Sequence, residues 1–505
     1  MPGKIARALD PGVLRRLAAQ CPGGIFLVTG TNGKTTTARM LTSMLRRTGR
    51  KVVHNRSGAN LLGGLTAAFL EYAGWNGRIA ADMAVLEVDE ATVPRAVLEL
   101  APMGAVVTNF FRDQLDRYGE LDRTIALVKE GLQGLRDNRL TLLCSDDPLS
   151  AGLGEELSGA GASLIYYGLE PGAARDWCVR DQSDHEWAVC PTLAAAREAE
   201  SLPVANDSES LPIAQDSEPL PTVGIPTARE ACFCRACGSP LTYRRRFYSH
   251  LGHYLCPGCG MIRPEPDVAA DLVSGTALLA FRAGEKSWTA RLPVPGLYNV
   301  YNALAASAAA WALHIPTDVV AGAIESYAAG FGRMEELTVN GRRLLLSLVK
   351  NPVGFDEVLR TVLEEGTGAA AGTGAGVTGA AAGTGAVLGA GATMVIAIND
   401  LLADGTDISW LWDVDFERMA VPGAVSSVIC SGRRAHDLAV RLKYAGVEPY
   451  RFTVETDLMG AVTSGLRLLP EGDGDTLYVL TTYTALLELR ADLTNPSRAR
   501  RFWEV

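Results

Sequence analysis

The sequence predicts an α/β protein: a central unit built on a phosphate-binding loop and carrying a cysteine-rich insertion, then a second, Rossmann-like α/β unit. Three observations predict it. Short apolar runs alternate with helical patterns, the sign of a doubly wound, mainly parallel sheet. A glycine-rich loop at residues 30–33 joins the first apolar run to the first helical pattern. The alternation then starts afresh beyond Phe331-Gly332-Arg333.

In chain order, strand-like runs stand at residues 25–28, 83–88, 105–108, 140–144 and 163–167, and residues 35–47 read as a helix. A helix over 301–313 is expected after the turn P-G-L-Y-N. The second unit has apolar runs at 343–349, 393–398, 424–430 and 476–480. Two segments interrupt this order. An acidic, proline-containing nonamer recurs from Glu200, Glu209 and Glu218, too short and polar for a solenoid. A Gly/Ala/Thr stretch lies at 366–392, where too little apolar surface can be buried to offset the entropy of ordering. The expected organisation is a central unit over 1–330, with a flexible repeat at 200–225 and the cysteine module at 231–264, and a C-terminal unit over 331–505 with a flexible insertion at 366–392.

The chain has 505 residues, 48% hydrophobic and 21% charged, which suits two or three domains. Its formal net charge of -10 argues against nucleic-acid binding, and Arg244-Arg245-Arg246 reads as a solvated face. The N-terminus has no apolar h-region and no apolar run reaches membrane-spanning length, so a cytoplasmic location is expected.

The segment V-T-G-T-N-G-K-T-T, residues 28–36, carries the strongest chemical signal. Glycines let backbone N–H groups wrap a phosphate, and the following helix adds its positive dipole end. Gly30, Thr31, Asn32, Gly33, Lys34, Thr35 and Thr36 are the candidate nucleotide contacts, with Lys34 reaching the β/γ-phosphates and the Thr35 hydroxyl holding Mg²⁺. A chance glycine turn is the plain alternative, and the strand before and helix after disfavour it. Glu87 ends a buried strand, where ligands bind in open α/β sheets, and is the candidate Mg²⁺ carboxylate. Asp89 and Glu90 read equally well as solvated strand-end acids.

Cys234, Cys237, Cys256 and Cys259 form a C-x2-C-x18-C-x2-C pattern that fits a four-thiolate structural zinc site. Cys232, His250 and His253 are left over. Residues 398–417 hold six acids with Trp410 and Trp412, unusual for a plain turn; the bland reading is an exposed loop with both tryptophans packed inward.

These motifs carry a resemblance. The loop G-T-N-G-K-T-T, with Val28 where the standard pattern has glycine, resembles the Mur ligase and folylpolyglutamate synthase superfamily. T-N-F-F-R-D-Q-L-D-R-Y-G-E at 108–120 is similar to the superfamily's T-N-x-x-x-D-H-x-D-x-x-G, with Gln114 replacing the histidine by a weaker ligand. C-S-D-D-P at 144–148 resembles an N-x-D-D strand end, with Asp146 and Asp147 structural or nucleotide-adjacent. P-G-L-Y-N-V-Y-N at 295–302 resembles G-x-H-N-x-x-N, with Tyr298 for histidine, and implies Asn299 on the adenine and Asn302 bracing the turn. F-G-R-M-E at 331–335 resembles a G-R-x-E hinge and implies Arg333 near the nucleotide.

Within the superfamily, L-V-K-N-P-V-G-F at 348–355, the acidic tryptophan loop and the zinc spacing resemble the MurT family. That resemblance implies an ATP- and Mg²⁺-dependent carbon–nitrogen ligase with a structural Zn²⁺. The ligase amidates the α-carboxyl of D-glutamate in the lipid II stem peptide to D-isoglutamine through an acyl phosphate. Ammonia comes from a GatD-type glutamine amidotransferase, whose glutaminase site an aspartate of this chain completes: Asp413, with Asp404 and Asp407 as alternatives. Lys350 would steady the acyl phosphate. With the phosphate loop opening at Val28, the resemblance further implies that the UDP-sugar domain of ordinary Mur ligases is missing, which suits a lipid-linked substrate met at the inner face of the membrane. The rivals are another amide ligase of the superfamily, disfavoured by the zinc spacing and the tryptophan loop, and a non-catalytic nucleotide-binding scaffold, disfavoured by Lys34, Thr35 and Glu87.

Overall fold

The run Ile25–Thr29 forms strand β1, buried throughout, because both faces of a parallel strand are covered by helices. Its side chains alternate between two cores: Phe26 and Val28 join one apolar cluster, Ile25 and Leu27 another. The computed structural model describes residues 2–55, 58–112, 121–135, 140–159, 162–170, 233–272, 277–328, 332–339, 341–366, 391–470 and 476–493. All belong to one compact unit spanning Met1–Cys178 and Thr227–Val505. The acidic repeat, Cys232, Gln114 and most of the Gly/Ala/Thr stretch lie outside the described residues.

Nine strands make the first sheet. They are β1, β2 (Val52–His54), β3 (Met83–Glu87), β4 (Gly104–Val107), β5 (Leu140–Cys144), β6 (Ser163–Leu169), β9 (Val268–Leu272), β10 (Leu278–Ala283) and β11 (Lys286–Arg291). Their order is β11-β10-β9-β6-β5-β4-β1-β3-β2. Pairing is parallel from β2 to β9; β10 and β11 add an antiparallel edge that no apolar run had announced. Helices α1 (Pro2–Leu9) and α2 (Val13–Ala18), likewise unannounced, precede β1. With α4 (Leu62–Tyr72), α5 (Val93–Leu100), α6 (Leu121–Gln133) and α7 (Pro148–Ser158), α2 covers the Leu27 face of the sheet. Helices α3 (Lys34–Arg47), α8 (Leu297–Ala312) and α9 (Thr317–Glu325) cover the Phe26 face. Helix α8 starts four residues before the expected Tyr301, so the P-G-L-Y-N turn runs into the helix after Gly296 (φ 93°). Its alanine-rich stretch is core: Ala303, Ala305, Ala306, Ala308, Ala309 and Ala310 are all buried.

The second sheet has the order β12 (Glu335–Val339), β13 (Arg342–Leu348), β17 (Thr476–Thr481), β14 (Ala392–Ala397), β15 (Val425–Ser431), β16 (Phe452–Val454). It is parallel apart from the β12–β13 hairpin. Met394 and Ile396 face one core, Val395 and Ala397 the other. Helices α10 (Pro352–Gly366), α11 (Ala435–Tyr444), α12 (Leu458–Leu468) and α13 (Tyr483–Leu493) complete it. Among the described residues no helix is long and apolar enough to cross a membrane.

The cysteine module is two matching knuckles around the hairpin of β7 (Thr242–Tyr248) and β8 (Leu251–Leu255). Cys234 N–H donates to Ser239 O and Cys256 N–H to Met261 O (2.8 and 2.7 Å); Gly238 and Gly260, both left-handed, donate back to Cys234 O and Cys256 O. The four sulfurs lie within 4.8 Å of one another. A zinc–thiolate tetrahedron with bonds of about 2.3 Å has sulfur–sulfur edges of about 3.8 Å. Cys234–Cys259 and Cys237–Cys256 stand at 3.6 and 3.4 Å, so these residues fit a closed zinc site. Metal analysis of the purified chain is expected to find zinc in a one-to-one ratio, lost together with thermal stability in Cys234→Ser and Cys256→Ser; full zinc content in Cys256→Ser would contradict the four-thiolate site.

Candidate active site

The phosphate loop, the ends of β3, β4 and β5, and the start of α3 meet at the carboxyl edge of the first sheet, where open α/β sheets bind ligands. The loop is held by close backbone approach. Gly30 has φ 114°, and a Cβ there would stand 2.4 Å from Thr108 Oγ1. Gly33 has φ 86°, and its Cβ would meet Asn302 Oδ1 at 2.0 Å. Only glycine fits either place. The end of β4 then stitches the loop down. Thr31 N–H donates to Asn109 O (2.9 Å), and the Thr31 hydroxyl exchanges two bonds with the backbone of Phe111 (3.0 and 3.1 Å). Asn109 brackets the backbone of Asn32 with its amide (2.9 and 3.2 Å), and the Thr108 hydroxyl donates to Asn32 O (2.6 Å).

The expected phosphate and metal ligands come together. The Thr35 hydroxyl donates to Glu87 Oε2 at 2.8 Å, both residues buried, which is where a magnesium ion would find a hydroxyl and a carboxylate. The Thr36 hydroxyl is buried with no hydrogen-bond partner among the described residues, an orphaned donor beside the loop that a phosphate oxygen would satisfy. Lys34 Nζ is folded back onto Gly30 O (2.6 Å), Thr31 O (3.2 Å) and Glu90 Oε1 (2.8 Å). Glu90 is therefore the buried partner of the loop lysine, not a solvated acid. Burial holds its carboxyl above the usual carboxylate range, against the pull of Lys34.

Other expectations land differently. Asn299 is buried on the first turn of α8, its amide donating to Pro295 O (2.6 Å) and accepting from Asn302 (3.4 Å); Asn302 is the one packed against the loop. Arg333 is half-buried on a turn tied down by Glu335, which accepts from Gly332 N–H (3.2 Å) and Arg490 (3.0 Å). Burial lowers the pKa of Arg39 on α3, and the charge of Arg333 adds to this, so the hinge arginine lies toward the helix of the phosphate loop. Lys350 is half-buried beside Asn351, which sequence reasoning passed over. Asn351 Nδ2 donates to Asn32 Oδ1 (3.0 Å) while its Oδ1 accepts from Gly354 N–H (2.8 Å), so one amide caps α10 and touches the phosphate loop.

Of the three aspartate candidates, Asp404 is buried and spent on Thr484, accepting from its N–H (2.7 Å) and hydroxyl (2.5 Å). Asp407 is turned onto Ser409 (2.8 and 3.0 Å). Asp413 pairs with Arg112 (3.1 Å) at a part-open position. Trp410 packs beside Phe355, whereas Trp412 is 52% exposed and lies against Tyr444, so only one tryptophan turns inward.

Asp146 and Asp147 are structural. Asp147 is fully buried and gathers Phe110 N–H, Leu149 N–H, the Ser150 hydroxyl and His250 Nε2 (2.9, 2.9, 2.8 and 3.2 Å). Asp146 gathers Arg263 (2.5 Å), the Tyr301 hydroxyl (2.8 Å) and Leu169 N–H (2.8 Å). The cysteine hairpin is thus pinned to the first sheet through His250 and Arg263, and its tip packs His250 and Tyr248 on Phe111 (4.8 and 5.8 Å between rings).

Comparison with known proteins agrees with this geometry. The Mur ligase middle domain model matches residues 28–194, and the MurT ligase C-terminal model matches residues 348–486. A Staphylococcus aureus (strain N315) protein, the MurT subunit of lipid II isoglutaminyl synthase (glutamine-hydrolyzing), is 30% identical over 463 residues, 91% of this chain and 86% of that one. The chain belongs to the MurT family. The MurT subunit of Streptococcus pneumoniae is 28% identical over 507 residues, 99% of this chain and 93% of that one. Among solved structures, the MurT-family fold resembles a pseudomurein peptide ligase type C from Methanothermus fervidus (TM-score 0.62, 19% identity, 94% and 79% of the two chains). It also resembles MurF from Acinetobacter baumannii (0.59, 15%, 96% and 80%) and a Mycobacterium tuberculosis folylpolyglutamate synthase (0.54, 14%, 97% and 98%).

Because Lys34 and Glu90 are both about nine-tenths buried, removing one partner strands the other. Glu90→Ala is expected to cost about 3 kcal/mol in urea unfolding, and Glu90→Gln less. A loss below about 0.5 kcal/mol in Glu90→Ala, the level of an ordinary surface change, would contradict a buried charged pair.

Proposed function

We propose that this MurT-family chain is the synthetase subunit of a lipid II isoglutaminyl synthase. It amidates the α-carboxyl of D-glutamate in the stem peptide, in peptidoglycan synthesis, with ammonia from a GatD-type glutaminase. The observation that carries the reading is the conjunction in one chain of the Thr35–Glu87 metal corner beside the phosphate loop with a MurT C-terminal segment that presents Asp413. We assign the central ATP-binding role to residues 1–330 and the partner-facing role to residues 331–505.

A substrate carboxylate oxygen attacks the γ-phosphorus of ATP, ADP leaves, and an acyl phosphate forms. Ammonia then attacks the acyl carbon and loses a proton, the carbon–oxygen bond breaks, and phosphate departs with the former carboxylate oxygen and the bonding electron pair. There is little covalent work for the protein; its task is to position groups and stabilise charge. Loop N–H groups from Gly30 to Thr36 cradle the phosphates. Lys34 moves from Glu90 to the transferring phosphoryl group. Thr35 and Glu87 would hold Mg²⁺, which neutralises charge on the β- and γ-oxygens. We assign Lys350 to steadying the acyl phosphate, and Asn299 and Arg333 to the nucleotide. Asp413 orients the catalytic histidine of the glutaminase. Cys234, Cys237, Cys256 and Cys259 with zinc play a structural part.

Co-expression with a GatD-type amidotransferase, followed by mass analysis of lipid II, tests the reading. The expected outcome is ATP-dependent conversion of the D-glutamate carboxyl to an amide with either glutamine or free ammonia, abolished in Lys34→Ala. In Asp413→Asn the glutamine-dependent reaction is lost and the ammonia-dependent one retained. No amide from either donor, with ATP still bound, would move the weight to another ligase substrate or to a nucleotide-binding scaffold.

A further inference from the structure

We propose that Arg112 is a positioning residue that couples the phosphate loop to the acidic segment offered to the glutaminase, so that nucleotide occupancy sets the release of ammonia. The proposal rests on the functional reading above and concerns the regulation of that site.

The path is short. Residues 109–111 are fastened to the loop by the two Thr31–Phe111 bonds, the Thr31–Asn109 backbone bond and the Asn109 amide on Asn32. All of these residues but Asn32 are buried, so residues 109–111 follow the loop as one body. Arg112 is the next residue, and its Nη1 donates to Asp413 Oδ2 at 3.1 Å. The same guanidinium contributes to lowering the Asp407 carboxyl, after the hydrogen bonds from Ser409, so Asp407 as well as Asp413 lies in its field. From a residue that touches phosphate to a residue that would serve the glutaminase there is one hydrogen-bonded step, one peptide link and one ion pair.

A second route ends on the same segment. Asn351 joins Asn32 to the start of α10, and five residues past that cap Asp356 accepts the N–H of Asp415 (2.8 Å). Phe355, between them, packs on Phe416 and Trp410 (5.1 and 6.3 Å). The 409–415 segment is therefore gripped on its inner side from the phosphate loop while Trp412 faces outward.

The ion pair itself contributes little to stability, since Arg112 and Asp413 keep 42% and 36% of their side-chain surface exposed. It is cheap to break and geometrically specific, as a contact that switches must be. In the proposed resting arrangement Arg112 pairs with Asp413 and balances its charge. A phosphate drawn into the loop shifts Thr31, Phe111 follows through its paired bonds, and Arg112 is withdrawn. Asp413 is then free to orient the partner's histidine. Glutamine is consumed only when the acyl acceptor can be made.

The test uses the intact two-subunit complex and reads glutamate release from glutamine, with and without Mg²⁺ and a non-hydrolysable ATP analogue. The wild-type rate is expected to rise at least about fivefold on adding the analogue, the lower end of ordinary coupling between sites. Arg112→Ala is expected to run at the raised rate without the analogue and to show no further response, and Arg112→Lys to keep part of it. A wild-type rate indifferent to the analogue, or a full response in Arg112→Ala, overturns the coupling. Glutamate release that survives in Asp413→Asn overturns the assignment of Asp413 instead. Loss of release in Asp413→Asn beside a full response in Arg112→Ala removes the coupling alone.

Discussion

The structure depends on one close approach: the backbone of the phosphate loop lying directly on the end of β4 and on the first turns of α8. At Gly30 and Gly33 there is no room for a side chain, and both residues adopt left-handed backbone. That contact fixes the course of the loop backbone against both neighbours. It also makes residues 108–111 and Asn302 part of the candidate site although none of them is in the glycine motif. A β-carbon at Gly30 would push the loop off the end of β4, and one at Gly33 would push it off Asn302. The cost would appear in the site before it appeared in the core, because β1 and α3 are buried independently on either side.

Around that contact the chain adds supports made of buried acids with several partners each. Asp146 and Asp147 together gather two backbone N–H groups on the β4 and β6 sides, a helix N-terminus, a histidine, an arginine and a tyrosine. Carboxylates so placed would be costly if unpaired, and each partner removes part of that cost. The consequence is mechanical. The zinc-fitting knuckles sit at one end of a hairpin whose other end braces Phe111. The module that gathers the four thiols thereby stands one residue from Arg112. On the other side, Asn351 brings the C-terminal sheet to the loop through a helix cap.

Much of this was legible in the sequence. The parallel strands β1, β3, β4 and β5 announce themselves as continuous apolar runs because both their faces are buried. The loop is written in glycines, and the four cysteines are written in a spacing that the fold brings to within 4.8 Å. What escaped was whatever depends on residues far apart in the chain. His250 carries no pattern that predicts a meeting with Asp147, 103 residues earlier. Nor does Arg112 predict Asp413, 301 residues later. Glu90 looked like one of several strand-end acids until its distance to Lys34 was known. The start of α8 lies four residues earlier than expected because P-G-L-Y-N reads as a turn, whereas the burial of Leu297 and Val300 carries the helix through it. The β10–β11 edge was passed over: β10 is largely apolar but only alternate residues of it are buried, and β11 is mostly polar, so the pair lacks the fully buried pattern of the central strands.

The central claim is that this site activates a carboxylate by phosphorylation, and oxygen transfer tests it most directly. Lipid II carrying oxygen-18 in the D-glutamate α-carboxylate would be amidated with unlabelled ATP and ammonia, and the inorganic phosphate analysed by mass. The account predicts one labelled oxygen in each phosphate formed with each amide, because the carbon–oxygen bond breaks and the carboxylate oxygen leaves with the phosphoryl group. Amide formed with unlabelled phosphate would contradict it and place the chemistry elsewhere.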